Sequence, residues 1–338
     1  MSVPETHKFE LAPGLTICRI LNGMWQVSGA HGYVDPKSAV AEMFIYHDAG
    51  FTTWDLADHY GPAEDFIGDF RDDFVRSRGS EGLGEIQAFT KWVPRPGRMN
   101  RRVVEDAIGI SLRRMRADSL DLLQFHWWDY GDNRYLDALK YLAELQHEGR
   151  IRHLALTNFD TDHLRLITER GIPLVSNQVQ YSLIDRRPES RMAAFCAANG
   201  IALLTYGTVL GGLLAEKYLG RPEPLRGELN TASLQKYKQM IDAWGGWALF
   251  QQLLAVLGQI AEKHRVSIAN IGVRYILNRP AVAGVIVGAR LGVAQHLDDN
   301  ARVFAFTLDA QDEAAIAAVL IKSHDLFTLI GDCGDEYR

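Results

Sequence analysis

Four residues of the chain, Asp55, Tyr60, Lys91 and His126, have the side-chain types needed to move a proton at an oxygen whose charge changes during a reaction. Reduction of a carbonyl group needs an acid to protonate the developing alkoxide, and a tyrosine with an ordinary pKa near roughly 10 is a weak one. Lowering that pKa by two units takes about 2.7 kcal/mol of differential interaction, which one ammonium in a partly desolvated cleft can supply. Lys91 is therefore expected to tune Tyr60, with Asp55 holding Lys91 charged and in place. Taken singly, each residue has an ordinary structural use, and only their joint placement at one site carries chemical meaning.

The elements that would create that placement are legible. Short apolar runs that end in polar residues and lead into helical patterns recur eight times, at residues 17–23, 52–58, 86–92, 120–127, 151–158, 174–181, 201–207 and 282–288. Asp55, Lys91 and His126 fall at the C-terminal ends of the second, third and fourth runs, and Tyr60 follows Asp55 by one short loop. The intervening segments place apolar residues at three- and four-residue spacing, as in Val40, Met43 and Phe44 or Val103, Ala107 and Ile110. Asp35 with Pro36, and Asp160 or Thr161, read as helix starts, and Gly50, Gly149 and Gly200 as helix stops. Strict alternation of strand and helix predicts a parallel sheet, and eight units predict its closure into a (β/α)8 TIM barrel, one α/β domain spanning residues 1–338. Residues 8–17 read as a β-hairpin around Pro13 and Gly14 that plugs the barrel's N-terminal end. After the seventh strand, about forty residues from Thr208 to Trp247 form a long loop at the face where such barrels carry their sites, a candidate lid.

Composition excludes several alternatives. With 36 Lys plus Arg against 42 Asp plus Glu, the chain carries no excess of positive charge, and no nucleic-acid partner is expected. The one basic cluster, Arg113, Arg114 and Arg116, reads as a solvated helix face. Cys18, Cys196 and Cys333 are odd in number and widely spaced, so neither disulfides nor a metal site is expected. Gly23, Gly29 and Gly32 do not fit GxGxxG and no Walker A sequence occurs, which removes the main support for a dinucleotide-binding open sheet. Neither HxH nor HExxH occurs, as a metal-dependent hydrolase would need, and Pro36 between Tyr33 and Lys37 breaks a YxxxK helix pair. No leader or membrane span is read, and a cytoplasmic monomer is expected.

These residues resemble the aldo-keto reductase family along nearly the whole chain. Asp55, Tyr60, Lys91 and His126 match its catalytic tetrad in order, spacing and strand placement; DLADHYG (55–61) looks like its first signature and SLRRMRADSLDLLQFHW (111–127) like its second. The resemblance implies an NADP(H)-dependent oxidoreductase, with NAD the other possible cofactor, that interconverts a small aldehyde or ketone and an alcohol. Tyr60 would be the general acid/base and His126 would orient the carbonyl. Thr157, Asn158 and Gln178 match positions that hold the nicotinamide carboxamide, and Tyr206 the aromatic that stacks on its ring. Gly207 and Leu210 belong to a stretch that follows the pyrophosphate-covering loop, with Gly207 and Thr208 replacing its usual Ser and Pro. Residues 285–300 are similar to the adenosine-phosphate motif, with Gly288 at the turn and Arg290, Gln295 and Asn300 as cofactor contacts. Arg290 would clamp a 2'-phosphate, which favours NADP. Gly23, Met24 and Trp25 lie where the family's first strand meets cofactor and substrate, and Trp25, Trp92 and Trp127 are expected to wall the substrate cleft. The competing reading keeps fold and cofactor without turnover: a regulatory or sensor subunit that resembles the potassium-channel beta subunits.

Overall fold

Pro13 and Gly14 reverse the chain between β1 (Lys8–Ala12) and β2 (Leu15–Cys18), an antiparallel pair, with Gly14 in the left-handed region at φ +76°. The computed structural model describes residues 7–29, 33–292 and 295–338; Gly32 and the first six residues, read above for a phosphate loop and a leader, lie outside them.

Eight parallel strands follow: β3 (Ile20–Gly23), β4 (Thr53–Asp55), β5 (Gln87–Trp92), β6 (Leu120–Phe125), β7 (Ile151–Thr157), β8 (Ser176–Gln180), β9 (Ala202–Tyr206) and β10 (Val282–Gly288). They pair in sequence order and close where β10 meets β3, giving the expected barrel. The first run, 17–23, proves to be two elements. Arg19 donates its N–H to His7 in the hairpin strap and accepts from Val285 of β10, so the chain changes partners at that residue. Its guanidinium locks the switch by donating to the carbonyls of Leu277, Val282 and Ala283 at 2.7, 3.0 and 3.1 Å.

The hairpin is a plug. Leu11, Ala12, Leu15 and Ile17 form one buried cluster with Leu21, Phe89, Leu122, Ala155, Leu204 and Ala283, side chains from six of the eight barrel strands. The larger core lies outside the barrel, between strands and helices.

Helices α1 (Pro36–Asp48), α2 (Ala63–Arg78), α3 (Arg101–Arg114), α4 (Tyr135–His147) and α5 (Thr161–Glu169) connect successive strands, and two short ones, α6 (Arg187–Ser190) and α7 (Met192–Ala198), precede β9. Asp35 and Asp160 cap α1 and α5 by accepting from Ser38 and His163. The segment read as a lid loop is largely helical. Three single turns, beginning with Leu210–Gly212, lead into α8 (Ala232–Trp244), which Thr231 caps. Then come α9 (Gly246–His264) and α10 (Ile268–Leu277), and after β10 the helices α11 (Leu297–Arg302), α12 (Ala310–Leu320) and α13 (Leu326–Ile330). Among the described residues no helix is long and apolar enough to cross a membrane.

Candidate active site

Alternation along a strand decides which side chains reach the barrel mouth. Asp55 on β4, Lys91 on β5, Gln124 on β6 and Gln178 on β8 all point inward and meet in one buried network. Lys91 Nζ donates to both Asp55 oxygens at 2.8 and 2.7 Å and to the Leu56 carbonyl at 3.0 Å. Asp55 Oδ1 also accepts from Gln124 and Gln178 at 2.9 and 2.6 Å. Gln124 belongs to this network as fully as the residues singled out from sequence, and its inward parity with His126 was the available signal.

Lys91 spends its three N–H groups inside the network and stands 5.1 Å from the centre of the Tyr60 ring. The expectation that it lowers the Tyr60 pKa is not the direction this arrangement produces. Burial, then the Asp55 charge, pushes the Tyr60 phenol well above its usual value. Burial also pushes the Lys91 ammonium down, against the opposing pull of Asp55. The physical reason is that Asp55 offsets the lysine charge before it can favour a phenolate.

His126 is buried, and its Nδ1 lies 3.1 Å from the Thr157 carbonyl. A carbonyl only accepts, so Nδ1 carries the hydrogen and Nε2 presents its lone pair; Nε2 is buried, unpartnered, and belongs to a cleft-lining residue. Burial depresses the His126 pKa to about 4. A depressed histidine contributes stability that is complete above its unfolded value of about 6.5 and is lost as pH falls through about 4. Unfolding free energy should therefore decline across that window, and His126→Asn should flatten this part of the curve in urea titrations at stepped pH. An unchanged curve would rule the buried neutral histidine out.

The loop carrying Tyr60 is held by a residue the sequence reading dismissed. Arg114, half-buried rather than solvated, donates to the carbonyls of Asp58 (3.0 Å) and Gly61 and to Glu64 and Asp65 at 3.0 and 2.7 Å. Gly68 permits this approach of α2 to α3, since a Cβ there would stand 2.3 Å from the Arg114 carbonyl. Arg113 and Arg116 remain exposed, as expected.

Above the network a cleft of about 400 Å³ is lined by Gly23, Trp25, Asp55, Tyr60, Lys91, His126, Thr157, Asn158, Gln178, Tyr206, Gly207 and Gly288 among others. Most of the expected cofactor and catalytic residues are thereby brought together. Two expected substrate walls are not: Trp92 and Trp127 are buried between strands and helices, where Trp127 donates to the carbonyls of Asp129 and Asp132. Each follows an inward residue, so alternation turns it outward. Trp128, one further on, lines the cleft and meets His126 edge-on at 4.4 Å. Trp25 meets Tyr60 likewise at 5.1 Å.

Met24 and Leu210 are also buried and put no side chain into the cleft; Val209 and Gly211 border it in place of Leu210. Arg290 is exposed beyond the cleft, and Gln295 lines a separate hollow against α1. Asn300 lies half-buried on α11, whose first turn carries Asp298 and Asp299, charges that oppose a phosphate at that helix start.

Amide groups at the cleft floor keep complementary valences open. Gln178 commits its Nε2 to Asp55 and Gln124, leaving Oε1 as an acceptor. Asn158, at φ +58°, commits Oδ1 to the Tyr206 hydroxyl at 2.9 Å, leaving Nδ2 as a donor. A primary carboxamide needs that combination. Among the described residues no three His, Cys, Asp or Glu side chains are placed to hold a metal ion.

The model of the Aldo/keto reductase family matches residues 19–321. The flagellar radial spoke protein 5 of Chlamydomonas reinhardtii is 32% identical over 176 residues, which are 47% of this chain and 33% of that protein. The chain thus spans only about a third of that relative's length. The aldo-keto reductase YhdN of Bacillus subtilis (strain 168) is 24% identical over 318 residues, 91% of each chain. The crystal structure of an aldo/keto reductase from Klebsiella pneumoniae, in complex with NADP and acetate, shares the fold with a TM-score of 0.69 at 20% identity, covering 93% of this chain and 95% of that one.

Proposed function

The chain belongs to the aldo/keto reductase family, and from that premise we propose that it is an NADP(H)-dependent oxidoreductase that reduces an aldehyde or ketone to an alcohol. The observation that carries the reading is the convergence of Tyr60, Lys91 and the unpartnered Nε2 of His126 on one cleft. A nicotinamide dinucleotide bound there would supply the hydride. Thr157, Asn158 and Gln178 would hold its carboxamide, and Tyr206 would stack on its ring, with Gly23, Gly207 and Gly288 letting backbone approach it.

The chain's own residues supply the proton and the geometry. Tyr60, kept protonated by its surroundings, donates its O–H to the carbonyl oxygen and passes the proton as that oxygen becomes an alkoxide, a far stronger base than a phenolate. The Lys91 ammonium, kept charged and fixed by Asp55, stands 5.1 Å from the centre of the Tyr60 ring and positions that ring at the cleft. His126, neutral and with Nε2 facing the cleft, has no hydrogen to offer a carbonyl; it accepts from the hydroxyl of the alcohol, so it holds the alcohol form while Tyr60 orients the carbonyl. Trp25 and Trp128 give the cleft apolar walls beside it.

Fluorescence titration with NADPH and NADH, followed by loss of NADPH absorbance on adding aldehydes and ketones, tests the reading. Binding with turnover supports it, binding without turnover points to a sensor subunit, and no binding removes it.

The preference for NADP rests on Arg290, since the acidic start of α11 works against a second phosphate. Arg290→Ala is expected to raise the dissociation constant of NADPH by about 10-fold or more, the value of a charge-assisted contact, with little change for NADH. Equal effects on both would remove the phosphate clamp.

A further inference from the structure

Besides the committed Lys91, the cleft is lined by a second lysine, Lys236 on α8. Its Nζ donates to the Tyr337 hydroxyl at 2.5 Å, and no carboxylate pairs with it among the described residues. The rings of Tyr337, Tyr206 and Tyr237 surround it, their centres 4.6, 5.4 and 5.6 Å away. Tyr337 comes from the end of the chain, which returns across the mouth. Glu336 is held by Arg187 at 2.8 Å, and Arg338 donates to the Trp127 carbonyl at 2.9 Å and stands 3.8 Å from the centre of the Tyr130 ring.

The hydrogen bonds have a direction. The Tyr206 hydroxyl donates to Asn158, so Tyr337 donates to Tyr206 across 3.1 Å, and Tyr337 accepts from Lys236. One N–H of Lys236 is thereby used to hold the ammonium, and two remain. Tyr337 also stands near the reaction centre, its ring centre 6.3 Å from that of His126 and 6.5 Å from that of Trp128.

We propose that Lys236, steadied by Tyr337, is a carboxylate-binding subsite in the same cleft as Tyr60 and His126, and that the substrates are carbonyl compounds bearing a carboxylate at the far end. This rests on the reductase reading above. One positive charge with two open N–H groups matches the two oxygens of a carboxylate, and the half-buried ammonium is flanked by three aromatic rings that would pack on the substrate's apolar body. The neighbouring Glu336 does not fill the site: its Oε2 accepts from Arg187 and from the Gly334 N–H, and its Oε1 stands 3.5 Å from the Tyr206 hydroxyl. Arg187 is shared with Asp185, so Lys236 also balances the surplus charge of that buried group. A residue confined to that balancing role would alter stability without altering substrate preference.

The test compares 4-formylbenzoate with its uncharged analogue 4-methylbenzaldehyde. In the wild-type enzyme the ratio of their kcat/KM values should favour the carboxylate. Lys236→Met should lower that ratio by about 10- to 100-fold, and Lys236→Arg should keep most of it. Independently of turnover, terephthalate should bind the NADP complex, with an affinity that Lys236→Met weakens by a similar factor in calorimetry. A ratio that does not move overturns the subsite, and so does a variant whose only defect is weaker NADPH binding, which would assign the charge to the cofactor diphosphate. If neither aldehyde reacts yet terephthalate binds through Lys236, the reductase reading has failed and the subsite stands. Terephthalate binding indifferent to Lys236→Met overturns the subsite whatever the enzyme does.

Discussion

Tyr60→Phe should cut turnover with every carbonyl substrate by about 10²- to 10⁴-fold, the range set by loss of a positioned general acid. The substitution removes one oxygen and leaves the ring that meets Trp25 at 5.1 Å and lies over the Lys91 ammonium. Packing should therefore survive, and the dissociation constant for NADPH should stay within about twofold, since nothing proposed to hold the dinucleotide is altered. Steady-state kinetics beside a fluorescence titration separate the two effects. Turnover within a few-fold of wild type would end the assignment of Tyr60 as proton donor and would leave a water or His126 to do the work.

Lys91→Met should damage the fold as well as the chemistry. The Lys91–Asp55 pair is buried, with contacts of 2.7 and 2.8 Å, and Asp55 would keep only the two glutamine amides as partners. Stranding one member of a buried pair typically costs about 3–5 kcal/mol, because the remaining charge has neither water nor counter-ion. Urea unfolding should register a loss of that size, together with near-complete loss of turnover. The double variant Lys91→Met with Asp55→Leu should recover much of the stability, since it removes both charges, and none of the activity. If the double variant is no more stable than the single one, the cost lies in packing and the electrostatic account fails.

Much of this site was legible beforehand because the signals that reveal it are local. A strand that ends in a reactive residue and runs into a helix announces both its own position and the face on which that residue emerges, and this holds for Asp55, Lys91 and His126. The same logic, carried one residue further, accounts for the misplaced tryptophans. Once Lys91 and His126 point inward, Trp92 and Trp127 must point outward, and Trp128 must return to the cleft. The positioning role of Arg114 was hidden for a different reason. Helical spacing tells how an arginine lies on its own helix, but not that the loop 58–61 passes within reach of its guanidinium from α2's side.

Strand count, helix caps and the order of the reactive residues follow from patterns only a few residues long, and so the sequence by itself determined the barrel, its plug and the four residues at its mouth. The tertiary structure decided where their charges are spent. Asp55 holds the Lys91 ammonium inside a buried network and, with burial, raises rather than lowers the Tyr60 pKa, a balance among buried groups that spacing cannot express. It also decided the far wall of the cleft. Tyr337 meets Tyr206, Lys236 and His126 across separations of 131, 101 and some two hundred residues, contacts that no local period encodes and that exist only because the closed barrel brings its last residues back over its mouth.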